Sequence, residues 1–320
     1  MKKIFVFMMI ILLTGTIFSC DRNKDEFKYV EEKISITSGN FKLDGILTMP
    51  KSDALVPAVI LISGSGPNNY DSSIGKLTPF KDIAVYLAKK GIASIRYNKV
   101  TYQHYTDIRF DYSFTMKEEY LDSAKSALDF ISADPRIDLE NIYVIGHSQG
   151  GQFAPVLVNS DERIKGTIIM AGTTMHLVDL MMEQYLSFYG ESVYNEYLPY
   201  VLEIKSILIS DSMKYNYFYF GAYYEYWVYY NSFNYENELI KAAAKPILIL
   251  HGELDLQIGI EHFEKYQALL SGNQRVTFKR YEKLNHYFID AGVETSETAY
   301  QTKGSVAVEV LEDIVNFIKK

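Results

Sequence analysis

Within Gly146-His147-Ser148-Gln149-Gly150-Gly151, one serine stands between glycines. A serine hydroxyl is a weak nucleophile until a base takes its proton and a carboxylate orients that base. The flanking glycines fit a sharp turn, because a turn that presses Gly146 and Gly150 against neighbouring backbone leaves no room for a Cβ. Among the six histidines, His147 adjoins the serine too closely to swing back onto its hydroxyl and is expected to pack behind the turn. His286, in Leu284-Asn285-His286-Tyr287-Phe288, is the candidate base. For the carboxylate, Asp255 is the first choice and Glu253 the second, both in the polar loop that follows the apolar run Ile247-Leu248-Ile249-Leu250.

Such a set implies acyl transfer, in which Ser148 attacks a carbonyl and the developing oxyanion needs backbone donors. The Gln149 N–H, at the start of a helix, is one candidate. Ser65, in the glycine-rich run Ser63-Gly64-Ser65-Gly66-Pro67, supplies the other. The same run read as a phosphate cradle lacks the Lys-Ser/Thr ending of that motif. The chemistry requires neither a metal nor an organic cofactor.

These residues must be carried by elements that bring them to one edge. Alternation around Ser38-Gly39-Asn40 predicts a hairpin, and residues 58–62 form a short apolar strand of the kind buried on both sides of a parallel sheet. Further strands are expected at 92–97, 141–145, 164–170, 246–250 and 275–281. Helices are expected at 80–90, 117–132, from the Ser148 turn through 157, at 261–270 and at 306–318. Strands and helices alternating in this way predict an α/β fold: a mostly parallel sheet with helices on both faces. Ser148, Asp255 and His286 then all follow strand ends on the edge where open α/β sheets bind ligands. Residues 173–240 are helical in rhythm and dense in tyrosine, and are read as an inserted helical cap. The catalytic domain is expected at 33–172 and 241–320.

The 320 residues are 48% apolar and 22% charged, the composition of a folded globular chain. A net charge of -8, with no basic stripe, argues against nucleic acid as a partner. The N-terminus differs from the rest. Lys2 and Lys3 precede an apolar run at 4–13, and the chain turns polar directly after Cys20, the single cysteine. This is the layout of an export signal over 1–20, followed by a charged tether over 21–32. Ile17-Phe18-Ser19-Cys20 resembles a bacterial lipoprotein box, in which Cys20 would carry a lipid. The expected location is the bacterial cell envelope, anchored to a membrane, or the exterior if the anchor is absent.

Taken together, the chain resembles the α/β-hydrolase superfamily, in its bacterial exported esterase and serine-aminopeptidase-like branch. The resemblance rests on the Gly64-Ser65-Gly66-Pro67 loop, Arg96-Tyr97, Phe114-Thr115, the Ser148 motif, His251-Gly252 with Asp255, and Asn285-His286. After Arg96-Tyr97 this chain reads Asn98-Lys99-Val100, where relatives usually carry Asp, Lys or Arg, and Gly. The resemblance implies a serine hydrolase of carboxylic esters with a small-molecule acyl substrate. A peptidase or amidase would use the same residues and would need a cap carboxylate, such as Glu191, Glu196, Glu203 or Glu225, to anchor an amine. A surface protein that binds ligands through its cap is the non-catalytic alternative.

Overall fold

The computed structural model describes residues 29–207, 217–290 and 303–320. β1 (Tyr29–Ser38) and β2 (Phe41–Pro50) pair antiparallel across a turn where Gly39 takes φ +56°, a conformation open to glycine at no steric cost. The tether expected over 21–32 is therefore shorter, because residues 29–32 already lie in β1. Their charges have partners in the fold. Glu31 meets the buried Arg96 at 2.6 Å, and Glu32 meets Arg136 at 2.7 Å. Cys20, the rest of residues 1–20 and the tether up to 28 lie outside the described residues.

The chain continues through β3 (Val56–Ile62), α1 (Pro79–Lys89), β4 (Ala93–Tyr97), and the short helices α2 (Val100–Gln103) and α3 (Tyr105–Ile108). The two short helices carry too few residues to display a helical period, so sequence rhythm passes over them. The helix expected over 117–132 is divided into a π-helical turn (Lys117–Asp122) and α4 (Ser123–Ser132). Within the wider turn the sequence neighbours Glu119 and Tyr120 are both buried. β5 (Ile137–His147), α5 (Gln149–Ser160) and β6 (Ile164–Met170) follow.

Then come α6 (Leu177–Tyr189), α7 (Glu191–Ser206), a two-residue ladder of β7 (Phe218–Tyr219) with β8 (Ala222–Tyr223), α8 (Tyr224–Asn231) and α9 (Tyr235–Ala242). The boundary drawn at 240 cuts through α9, whose Tyr235, Leu239 and Ala242 are buried in the same core as α5. The chain closes with β9 (Ile247–Gly252), α10 (Ile260–Leu269), β10 (Val276–Tyr281) and α11 (Val308–Ile318). No helix among the described residues is long and apolar enough to cross a membrane.

The eight-stranded sheet runs β1-β2-β4-β3-β5-β6-β9-β10, parallel from β4 onward with the first two strands antiparallel. Successive residues of β3 serve opposite faces. Val59 and Leu61 join a core with Phe80, Leu87, Val310 and Ile314, while Ile60 and Ile62 join another with Leu128 and Phe153. Thus α1 and α11 cover one face, and α4 and α5 the other. The order reverses around β3, whose chain leaves toward β4 through α1 and returns on the other side as β5 through α4. Loops leaving β3 and β5 therefore diverge and open a crevice at their carboxyl ends.

Phe153, on α5, joins that crevice's floor to the segments above it. It is fully buried, with ring centroids 4.5 Å from Tyr120 and 5.8 Å from Tyr235. Phe153→Ala is expected to lower unfolding free energy by about 3–5 kcal/mol, read from urea denaturation. A loss below about 1 kcal/mol would show that this contact is not part of the core.

Candidate active site

β5 ends at His147 and α5 begins at Gln149, so Ser148 alone makes the turn, at φ +55° and ψ −123°. A non-glycine residue held there is strained and persists only where its surroundings over-determine it. Here the surroundings are backbone. A Cβ on Gly146 would run into the Gly150 carbonyl, and one on Gly150 would meet the Ile62 carbonyl oxygen and lie 2.6 Å from that of Ser63. A Cβ on Gly64 would lie 2.9 Å from the Cβ of Ser148. The turn is thereby clamped between β3's exit loop and its own helix.

His286 stands in a tight loop after β10, closed by an Asn285 side chain that accepts the N–H groups of Tyr287 and Ile289 at 3.0 and 3.2 Å. Its Nδ1 meets Asp255 Oδ2 at 2.7 Å, with both side chains buried. The other carboxylate oxygen of Asp255 accepts the N–H groups of Gln257 and Ile258 at 2.8 and 2.9 Å. Burial would push this carboxyl up, but the His286 ring and those donors outweigh it and hold Asp255 below its usual range. Glu253, the second choice, turns outward to Arg280 at 2.6 Å. His147 lies behind the turn, its Nε2–H donating to the His286 carbonyl at 2.9 Å and its ring 4.6 Å from the His286 ring. Burial, and then the neighbouring imidazole, push His147 down to about 3, so it is a neutral support.

Among the described residues no hydrogen bond joins Ser148 Oγ to His286, a looseness common before substrate arrives. Ser148 and Gln149 form part of the floor of a cavity of about 480 Å³, with Ser65 on the opposite loop. Its walls are largely apolar, from Ile108 and Phe114 on one side and Leu180, Met181, Phe220 and Trp227 of the cap on the other. The cap glutamates named as amine anchors, Glu191, Glu196, Glu203 and Glu225, do not line it. Among the described residues its lining carboxylates are Asp111, which accepts the Ser113 N–H and O–H, and Glu119.

Glu119 belongs to a buried polar cluster that motif reading missed. Lys99 Nζ reaches Glu119 Oε1 at 2.7 Å, the Tyr120 hydroxyl at 2.7 Å and the Gly64 carbonyl at 2.9 Å. Tyr120 OH lies 2.9 Å from both that carbonyl and Gln149 Oε1, and the cap's Tyr226 donates to Glu119 Oε2 at 3.0 Å. Burial lowers the Lys99 ammonium from its usual range against the opposing pull of Glu119, and burial drives Tyr120 well up, keeping it a neutral donor. The available signal was a lysine two residues beyond the end of β4, at the carboxyl edge of the sheet. At the cap's other seam Glu183, Glu261 and His262 bring groups suited to a cation within 4.8 Å of one another. There His262 Nδ1 meets Thr173 Oγ1 at 2.8 Å and Nε2 meets Glu183 at 3.2 Å, which ties α6 to α10.

Comparison with known proteins agrees with this geometry. The profile of the prolyl oligopeptidase family matches residues 108–303, a span that holds Ser148, Asp255 and His286. Esterase EstD of Thermotoga maritima is 30% identical over 293 residues, 91% of this chain and 68% of that protein. The chain belongs to the prolyl oligopeptidase family. It is a serine hydrolase of the α/β-hydrolase superfamily, with an esterase among its relatives. Among solved structures, Est1E from Butyrivibrio proteoclasticus superposes with a TM-score of 0.58 at 17% identity, over 90% of this chain and 99% of that one. Pyrococcus horikoshii acylaminoacyl peptidase superposes with a TM-score of 0.58 at 14% identity, over 92% of this chain and 42% of its own. At those identities the likeness is one of fold.

The depressed His147 sets a pH dependence with a definite sign. Below an ordinary value of about 6.5 the unfolded chain gains a proton that the native chain refuses down to about 3. Its contribution to stability is thus complete above that window and is lost as pH falls through it, by roughly 1 kcal/mol per pH unit. His147→Gln is expected to flatten the dependence of the urea midpoint on pH between 6 and 4, and an unchanged slope would refute the assignment.

Proposed function

We propose that this protein hydrolyses small carboxylic esters through an acyl-enzyme on Ser148. The observation that carries the reading is the buried Asp255–His286 pair beside a strained serine turn, opening into a largely apolar cavity. His286 Nε2 takes the Ser148 Oγ proton as Oγ bonds to the ester carbonyl carbon. The N–H groups of Gln149 and Ser65 receive the oxyanion. Collapse of the tetrahedral species breaks the C–O bond, and His286 returns its proton to the departing alcohol. Water then adds to the acyl carbon with His286 again as base, and release of the acid regenerates Ser148. Asp255 holds the ring with Nδ1–H toward itself and stabilises the imidazolium.

Ester over amide is favoured by the cavity's lining. A site selective for a free amine needs a carboxylate free of a cation; Glu119 is already matched with Lys99, which leaves Asp111, bonded to Ser113, as the group an amine would have to reach. A cavity of this volume accommodates a small-molecule ligand rather than a protein segment. The family's peptidase members make the amide reading the natural rival. Rates on a 4-nitrophenyl ester and on an aminoacyl 4-nitroanilide of equal size separate the two, with no turnover of the anilide above background expected, and steady anilide hydrolysis lost in Ser148→Ala favouring the peptidase reading.

Ser148→Ala is expected to lower ester kcat by about a thousandfold or more and to abolish labelling by a fluorophosphonate probe. Activity retained in that variant, or failure of the folded wild-type protein to label, would sink the reading and favour a binding role for the cavity. The reading also places the protein in the bacterial envelope, exported and lipidated on Cys20, on the strength of Lys2-Lys3, the apolar run at 4–13 and the polar residues after the cysteine. Cys20→Ala expressed in a bacterial host should then move the protein out of the detergent-soluble membrane fraction. Unchanged fractionation would refute the anchor.

A further inference from the structure

The Gly64 carbonyl and the Ser65 N–H are the two ends of one peptide group. That group is planar and trans, so its N–H points away from its C=O. Whatever holds the oxygen therefore aims the hydrogen. Three side-chain donors reach the oxygen: Lys99 Nζ at 2.9 Å, Asn68 Nδ2 at 3.2 Å, and Tyr120 OH at 2.9 Å, whose single proton is shared with Gln149 Oε1 at the same distance. Among the described residues the Ser65 N–H itself has no protein acceptor, and Ser65 lines the cavity opposite Ser148.

One of the three donors is a cation, only 2% exposed. Burying an ammonium is costly unless it is paired and fully hydrogen-bonded. Here its three N–H bonds go to Glu119, Tyr120 and the Gly64 oxygen, so the arrangement is complete. Holding the loop in place does not need a charge. Asn68 already does so as a neutral amide, gathering the carbonyls of Gly64, Ser65 and Gly66 at 3.2, 2.8 and 3.2 Å. What a cation on the carbonyl adds is polarisation: a hydrogen bond accepted at C=O draws electron density from the amide and strengthens its N–H as a donor.

We propose that Lys99 is a positioning residue that aims and polarises the Gly64–Ser65 peptide, making the Ser65 N–H a stronger donor to the acyl oxyanion. The proposal rests on Ser148 as nucleophile and Ser65 as an oxyanion donor. It assigns Glu119 the part of counter-ion, held in turn by Thr101 and by Tyr226 of the cap. Lys99 never touches substrate in this scheme. Its effect passes through one peptide bond, so it falls on the state in which the carbonyl oxygen is charged.

The test compares wild type, Lys99→Met, Tyr120→Phe and Ser148→Ala on 4-nitrophenyl butyrate. It adds inhibition by an aryl trifluoromethyl ketone, which forms a charged hemiketal on serine, and by the matching methyl ketone, which mimics the ground state. Lys99→Met is expected to lower kcat by about tenfold to a hundredfold with KM within about threefold, since it weakens one oxyanion donor without deleting it. Trifluoromethyl ketone affinity should fall by the same factor, and methyl ketone affinity should not move. Tyr120→Phe keeps the ammonium and its counter-ion while removing one neutral donor, so it should show the same pattern at about threefold. That variant decides the matter if Lys99→Met does not fold. Unchanged kcat and trifluoromethyl ketone affinity in a folded variant overturn the proposal, as does a loss shared equally by both ketones. Should Ser148→Ala retain activity, the nucleophile reading itself has failed. Should Ser148→Ala be inactive while Lys99→Met matches wild type, only the role of Lys99 has.

Discussion

The closeness of β5's turn to the end of β3 governs the rest of this molecule. Gly150 lies so near the carbonyls of Ile62 and Ser63 that a single methyl group there would push the two strand ends apart. Because they do not part, Ser148 is pressed into a left-handed turn and the Gly64–Ser65 loop crosses directly beside it. Strain of this kind costs on the order of 1–3 kcal/mol and is borne by the packing on both faces of the sheet. The crevice that results is a consequence of strand order, since connections on opposite faces leave β3 and β5 diverging above that contact.

Charge in so buried a place has to be matched locally. Three matched sets surround the crevice: Asp255 with His286, Lys99 with Glu119, and Arg96 with Glu31 and Asp71. The last is structural. Arg96 also donates to Thr48 at 2.6 Å and binds β1, β2 and the loop after β3 to the strand before the crevice. The first two lie beside the crevice, with Glu119 in its lining and His286 joined to the serine turn through His147, and each works through a group it bonds, an imidazole in one case and a peptide in the other. Their burial is what gives the interactions force, because little water competes for the same donors and acceptors.

The cap is held to this base by tyrosine hydroxyls as much as by ring faces. Tyr230 donates to Gln152 on α5 at 2.8 Å and accepts the Leu177 N–H at 2.9 Å, while Tyr226 reaches Glu119. Trp227, Tyr224 and Tyr230 are almost wholly enclosed, and edge-to-face pairs such as Tyr185 with Tyr197 and Tyr217 with Tyr224 run between the cap's segments. Most of the aromatic density is therefore packing, which suits side chains with a large apolar body and one polar end. A smaller set, including Tyr223, Tyr226 and Trp227, shapes the cavity wall.

Much of this was legible in the residues themselves. Continuous apolar runs bounded by turn residues can be satisfied only as buried parallel strands, and glycines at 146 and 150 around a serine serve only a turn in close contact with other backbone. Those local demands are strong enough to survive folding, so the sheet, the turn and the loops carrying Asp255 and His286 could be placed in order. Asp255 was preferred to Glu253 without a steric ground, because in the loop after β9 only the fold decides which of the two carboxylates meets an imidazole and which meets Arg280. Lys99 and Glu119 were illegible for the same reason. A lysine and a glutamate far apart in sequence carry no sign of each other, and it is the π-helical turn beneath the crevice that brings them to 2.7 Å and sets Lys99 and Tyr120 against the Gly64 carbonyl. Local sterics and apolar patterning, which are properties of short stretches, determined the serine turn and the scaffold. The partners of its buried charges are long-range contacts, and only the tertiary structure could choose them.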